Sequence, residues 1–190
     1  MPAGVEKGIL KGMYLLSEGK AGGGGLKVQL LGSGTILREL IAGAELLEKD
    51  FGIGADIWSA TSFNELRRDG LATERWNMLH PEEPRRIAYV EQCLKDRPGP
   101  VIAATDYMKV FADQIRPFVP THNFVALGTD GFGRSDTRKA LRHFFEVDRR
   151  YVAVAALKAL ANEEAISPTK VTEAIRKYGI DPQKPDPTTV

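Results

Sequence analysis

The chain has 190 residues, enough for one domain with a sizeable core or one domain plus appendages. It is 43% hydrophobic and 27% charged, and its net charge of +1 gives no bulk electrostatic case for nucleic acid or an anionic membrane. Cys93 is the only cysteine, which excludes an internal disulfide and a cysteine metal cluster and points to a reducing cytoplasm; no apolar run approaches the ~18 residues of a spanning helix, and the first residues do not resemble a secretory signal.

Val5, Ile9, Leu10, Met13 and Leu16 are spaced for a helix with one buried face across 5–16. The glycine-rich stretch 21–25 reads as a flexible connector, so that 1–26 forms an N-terminal helix and connector. Residues 27–31 read as a short buried strand turned by Gly32-Ser33-Gly34. Ile36, Leu40, Ala44 and Leu47 then share one helical stripe, which Gly52 and Gly54 end. A second strand is expected at 57–60. Ser62 suits the cap of a helix through Leu66, with a helix resuming near 74–79. Pro81 and Pro84 punctuate an irregular stretch before a helix at 87–94.

The clearest strand is 100–105, followed by a helix at 107–116 that Pro117 and Pro120 end, and by a last strand at 123–127. A helix across 137–145 leaves the next corner, with Ser135 or Asp136 as its cap. Asp148 caps a helix at 149–161, and Ser167-Pro168 opens another that Gly179 closes; the residues after Asp181 carry three prolines and look frayed. Strand–helix alternation implies a three-layer α/β fold with a mainly parallel sheet over 27–147, and 148–190 as a helical appendage.

The most informative stretch is 128–136, Gly-Thr-Asp-Gly-Phe-Gly-Arg-Ser-Asp. Three glycines in six residues, between a strand and a helix, imply close backbone approach where open α/β sheets usually place function. Asp130, Gly131, Phe132, Gly133 and Arg134 combine an apolar anchor with flanking charge. That is expected of a domain or subunit contact surface rather than a ligand pocket; the plainer reading of Asp130 and Arg134 is a loop salt bridge or a domain contact.

Other constellations are incomplete. Gly32-Ser33-Gly34 suits a phosphate, but Leu37 stands where a dinucleotide fingerprint needs its third glycine, and Thr61 and Ser62 stand where it needs an acid. Asp130 with Asn162 is spaced like a diphosphate–metal motif, but Thr129 replaces its leading glycine and Asn162 ends an apolar helix. His80, His122 and His143 show no zinc spacing, and no nucleophile elbow precedes any serine. Cys93 reads as a small hydrophobe, and Arg67-Arg68 and Arg149-Arg150 as solvated pairs. Trp58, Trp76, Tyr107 and Phe132 are expected in core or interface packing. No catalytic, cofactor-binding or metal residue is assigned. A stand-alone nucleotide-binding protein using 32–35 stays open.

Five blocks together carry a resemblance: Lys27-Val28-Gln29-Leu30-Leu31-Gly32-Ser33-Gly34, Thr61-Ser62-Phe63-Asn64-Glu65-Leu66, Glu74-Arg75-Trp76-Asn77-Met78-Leu79-His80-Pro81, Ala104-Thr105-Asp106-Tyr107-Met108-Lys109 and the 128–136 corner. The whole chain resembles the C-terminal, transketolase C-terminal-like domain of the homodimeric bacterial pyruvate dehydrogenases. The broader alternative is the same domain of another transketolase-type thiamine enzyme. The resemblance implies a large dimeric subunit of three α/β domains that decarboxylates pyruvate with thiamine diphosphate and magnesium and transfers acetyl to lipoyl groups. It implies that the cofactor lies between the first two domains, so that this chain alone binds none and is not catalytic. The implied partners are the remaining domains of the subunit, a second subunit and a dihydrolipoyl acetyltransferase core, with no nucleic acid and no membrane.

Overall fold

A computed structural model describes residues 2–20 and 25–190. The expected connector at 21–25 lies outside the described residues except for Gly25. The elements are α1 (Glu6–Lys11), β1 (Met13–Ser17), β2 (Lys27–Gly32), α2 (Leu37–Phe51), β3 (Gly54–Ala60), α3 (Phe63–Leu79), α4 (Tyr89–Leu94), β4 (Val101–Ala104), α5 (Lys109–Asp113), β5 (Phe124–Leu127), α6 (Arg138–Phe144), α7 (Arg149–Asn162) and α8 (Pro168–Lys177). Short 3-10 turns at Gly34–Ile36 and Arg116–Phe118 complete them.

The sheet order is β1-β3-β2-β4-β5. β3, β2, β4 and β5 run parallel, and β1 is an antiparallel edge strand on β3. This is the expected three-layer α/β fold with a mainly parallel sheet. Strict alternation along the strands divides the core. Val28, Leu30, Ile102 and Ala104 face α2, α7 and α8, whereas Leu31, Trp58, Val101 and Ala103 face the layer of α3, α4 and α5. Strands buried on both faces explain why the sequence shows apolar runs rather than polar alternation.

Several elements differ from the sequence expectation. The helix expected across 5–16 stops at Gly12, whose φ of 101° is left-handed, and the chain turns into β1. The apolar spacing of that segment serves two elements, so helical periodicity alone misreads it. α3 is one continuous helix, because Gly70 inside it is a close-packing position rather than a break. A Cβ there would meet the Phe118 ring at 2.5 Å. The helix expected at 107–116 is reduced to the short α5 and a 3-10 turn. α7, in the C-terminal helical appendage, packs on the sheet domain: Val152, Ala153, Ala156, Leu157 and Leu160 are buried in the core with α2. The tail after Asp181 is also tied down. Lys184 Nζ donates to the Phe144 carbonyl at 2.7 Å and pairs with Glu146 at 2.9 Å, and Pro187 is buried.

Candidate functional site

The sheet order places a topological switch point between β2 and β4: β2 leads through α2 to β3 on one side, while β4 lies on the other. The loops leaving β2, β4 and β5 meet there. Ser33 N–H donates to the Ala104 carbonyl at 3.0 Å and Thr105 N–H to the Leu127 carbonyl at 3.1 Å, extending the ladder past the strand ends. Thr35 Oγ1 donates to Asp106 Oδ2 at 3.2 Å, and Thr129 Oγ1 to the Asp106 carbonyl at 2.7 Å. A cavity of about 500 Å³ opens on this edge, lined by Thr35, Asp106, Thr129, Arg134, Arg138 and Arg142 among others.

The turn at 32–34 is built for packing. A Cβ on Gly32 would meet Leu37 at 2.8 Å, and Gly34 has a left-handed φ of 58°. A Cβ on Gly34 would lie 3.0 Å from Asp106 Oδ1. A carboxylate therefore sits where a phosphate would approach this turn, and its charge repels an anion.

The 128–136 corner is pinned from two sides. Asp130 Oδ1 accepts from Lys109 N–H at 2.9 Å at the start of α5, and Thr129 N–H donates to the Tyr107 carbonyl at 2.9 Å. Gly131, with φ 107°, lies against the carbonyl of Pro187 in the tail, and a side chain there would collide with it. Gly133 has open space around it, so close approach applies to two of the three glycines. Arg134 stacks its guanidinium 4.1 Å from the centre of the Phe144 ring. Of the two plainer readings of Asp130 and Arg134, the salt bridge is absent among the described residues, because Asp130 accepts from Lys109 and Arg134 lies over Phe144. The cap of α6 is Thr137, which accepts from Ala140 N–H at 3.3 Å, while Asp136 accepts from the Thr137 N–H at 2.6 Å.

Phe132 is left 79% exposed. Tyr107, Met108 and Val110, on the loop bonded to this corner and the start of α5, are 65%, 52% and 59% exposed. All four lie on the two bonded segments at this edge of the sheet, which are 21 residues apart in the sequence where Asp130 meets Lys109.

Glu39 is a functional-looking residue that sequence reasoning passes over. It is nearly buried on α2 and holds Arg142 at 2.7 Å and Arg149 Nε at 3.0 Å, and it also accepts from the Arg149 backbone N–H at 3.0 Å. Burial pushes its carboxyl up, but the bonds from Arg149 and the Arg142 charge outweigh this and leave it below its ordinary range. Arg149 is thus no simple solvated residue: the 110-residue separation from Glu39 hides the pair in the sequence. The arrangement joins α2, α6 and α7.

The remaining candidates are structural. Trp58 is buried, with its Nε1–H on Gln29 Oε1 at 2.9 Å. Trp76 is stacked between His80 at 4.4 Å and Arg86 at 3.6 Å. Burial pushes the Cys93 thiol up, away from a nucleophile's requirement. The residues here do not fit a diphosphate-bound metal. Asp130 is spent on α5, Asn162 ends α7, and no group of three or more His, Cys, Asp or Glu is placed to hold an ion among the described residues. No described helix is long and apolar enough to cross a membrane.

Fold and site define a doubly wound α/β domain with exposed apolar side chains on the loops at one sheet edge. Its fold is shared with solved transketolases. The enzyme from Campylobacter jejuni matches at a TM-score of 0.52 and 23% identity, over 78% of this chain and 18% of that one. A mutant transketolase from Pichia stipitis matches at 0.52 and 19% identity, over 84% and 19%. Residues 12–148 match the model of the transketolase-like TK C-terminal domain, and the chain belongs to that family. Curated relatives named pyruvate dehydrogenase E1 component are 64% identical in Pseudomonas aeruginosa, 60% in Cupriavidus necator and 54% in Escherichia coli K12, over 98%, 100% and 98% of this chain. The chain spans about 21% of the length of each of these relatives.

Proposed function

We propose that the chain is the C-terminal assembly domain of a thiamine diphosphate-dependent pyruvate dehydrogenase E1 subunit. In this reading thiamine diphosphate and magnesium are held by other domains of the subunit, where pyruvate is decarboxylated and acetyl passes to a lipoyl group. This chain supplies surface and no reacting group. Its partners are the rest of the subunit, a second subunit and the dihydrolipoyl acetyltransferase core, in the cytoplasm.

The observation that carries the reading is the exposure of Phe132, Tyr107, Met108 and Val110 on two segments tied together by the Asp130–Lys109 and Thr129–Tyr107 bonds. An aromatic side chain beside charged residues is the arrangement of an interface centre. The 64% identity across nearly the whole chain supports the choice of subunit. In a longer subunit carrying this chain, Phe132→Ala with Arg134→Ala should weaken dimerisation or lower the melting temperature, with activity falling only in step. Activity collapsing while the dimer and its melting temperature stay unchanged would overturn the assembly role and move the corner to substrate or lipoyl recognition.

A further inference from the structure

Another hollow lies beside the cavity at the loop edge, across α6, and shares Arg138 and Arg142 with it. It has a volume of about 780 Å³ and is lined by Arg138, Lys139, Arg142, His143, Arg149 and Arg150, against only two acids, Glu39 and Asp148. The chain as a whole carries a net charge of only +1, so this concentration is local. Both acids are spent internally. Glu39 is held by Arg142 and Arg149. Asp148 accepts from the Arg150 and Tyr151 backbone N–H groups at 2.8 and 3.2 Å and faces His143 Nδ1 at 3.3 Å. Among the described residues Arg138, Lys139 and Arg150 have no carboxylate partner. Three cations without a carboxylate partner among the described residues therefore line one open groove, beside a Glu39 carboxylate that two arginines share.

We infer that this groove docks an acidic segment of a separate polypeptide. Extended cations around a cavity of this size suit carboxylates presented along a chain better than one compact anion. The charge also separates this surface from the apolar edge around Phe132. Permanent interfaces are apolar, because burying unmatched charge for good is costly, whereas solvated charged surfaces suit partners that come and go. The groove's cations Arg149 and Arg150 lie just past residue 148, where the match to the family model ends. The groove therefore straddles the end of the shared domain, with Arg138, Lys139 and Arg142 inside the matched span and Arg149 and Arg150 beyond it.

The test is fluorescence anisotropy of a labelled ten-residue glutamate- and aspartate-rich peptide with this chain. Saturable binding that weakens as sodium chloride rises is expected. Replacing Arg138, Lys139 and Arg150 together by Glu should weaken it at least about tenfold, the factor expected from three exposed ion pairs lost at once. The same charge change on the opposite layer, Arg67→Glu with Arg75→Glu and Lys95→Glu, should leave it unchanged. If the first variant does not fold, Arg138→Ala with Lys139→Ala gives the same comparison with a smaller loss. No binding, or equal loss in both reversal variants, overturns the inference. Tighter binding of single-stranded RNA than of peptide at the same residues overturns the partner's chemistry. In a longer subunit carrying this chain the peptide should still bind; if it does not, the groove is filled from within the subunit, and the assignment to a separate partner fails.

Discussion

Gln29 and Asp56 stand opposite each other in the register of β2 and β3, both fully buried, and the Gln29 Nε2 amide donates to Asp56 Oδ2 at 3.2 Å. Lys27 and Arg97 reach the same carboxylate at 2.7 and 3.0 Å, and Gly19 N–H donates to it at 3.1 Å. The other face of the Gln29 amide accepts from Trp58. A charge is thereby held inside the sheet with every strong partner matched, at the end opposite the loop edge. The network joins β2, β3 and the segments before and after them, and fixes which residues of the two strands align.

Asp56→Asn is expected to destabilise the chain by about 3 kcal/mol, since removing one member of a buried ion pair leaves the other without compensation. Urea unfolding of wild type and variant reads this directly. A loss below about 1 kcal/mol would mean that Lys27 and Arg97 escape to water and that the network is weaker than its geometry.

The same network sets an acid limit. Burial raises the Asp56 carboxyl, but the bonds from Lys27, Arg97, Gln29 and Gly19 more than reverse this, and its folded-state value lies below the ordinary one. Glu39 is shifted in the same direction. For a depressed carboxylate the unfolded chain binds the proton first, so the stabilisation is full above the unfolded value of about 4 and falls as pH drops through the folded one. Melting temperature should therefore decline below about pH 4, with a shallower decline for Asp56→Asn. Identical slopes would remove Asp56 from the account.

Gly70→Ala should destabilise although alanine is the better helix former by about 1 kcal/mol. The added methyl would be forced against the Phe118 ring, at an overpacking cost of about 1–3 kcal/mol. Gly70→Ala with Phe118→Leu should recover part of the loss. An Ala variant more stable than wild type would show that Phe118 moves freely.

The strands at 27–31 and 124–127 and the caps Ser62, Asp148 and Ser167 are legible in the sequence, because each depends on a short apolar run or a local side-chain bond. The edge strand β1 is not, since Met13–Ser17 becomes a strand only by pairing with β3. Nor is the role of Arg149, whose partner Glu39 lies on another helix. At the corner, the glycines and Phe132 stand out by type. The use of Asp130 on α5 and of Arg134 on Phe144 follows from tertiary placement, which no local pattern encodes.

Tyr151 has a buried hydroxyl with no hydrogen-bond partner among the described residues, and burial with nearby Glu146 and Asp148 pushes its ionisation up to about 12. Tyr151→Phe removes an unsatisfied polar atom while keeping the ring. It should be neutral or stabilising by up to about 1 kcal/mol. A loss above that in thermal unfolding would reveal a partner for the hydroxyl.

Asp130 and Phe132 are two residues apart and should separate cleanly by assay. Asp130 accepts from an N–H at the start of α5, so Asp130→Ala should cost this chain about 1 kcal/mol, the usual net worth of one hydrogen bond. Phe132 is 79% exposed and contributes little to this chain's own packing, so Phe132→Ala should fall within about 0.5 kcal/mol of wild type. In a longer dimeric subunit the order should invert. There an anchoring aromatic is worth about 2 kcal/mol at the interface, or roughly 30-fold in dimer dissociation, and the loss from Asp130→Ala should stay close to its value in this chain. Paired measurements of unfolding in this chain and of dimer dissociation in the subunit decide it. If Phe132→Ala leaves dissociation unchanged and instead destabilises the isolated chain, the apolar edge belongs to the domain's own fold, and the corner loses its role as a contact surface.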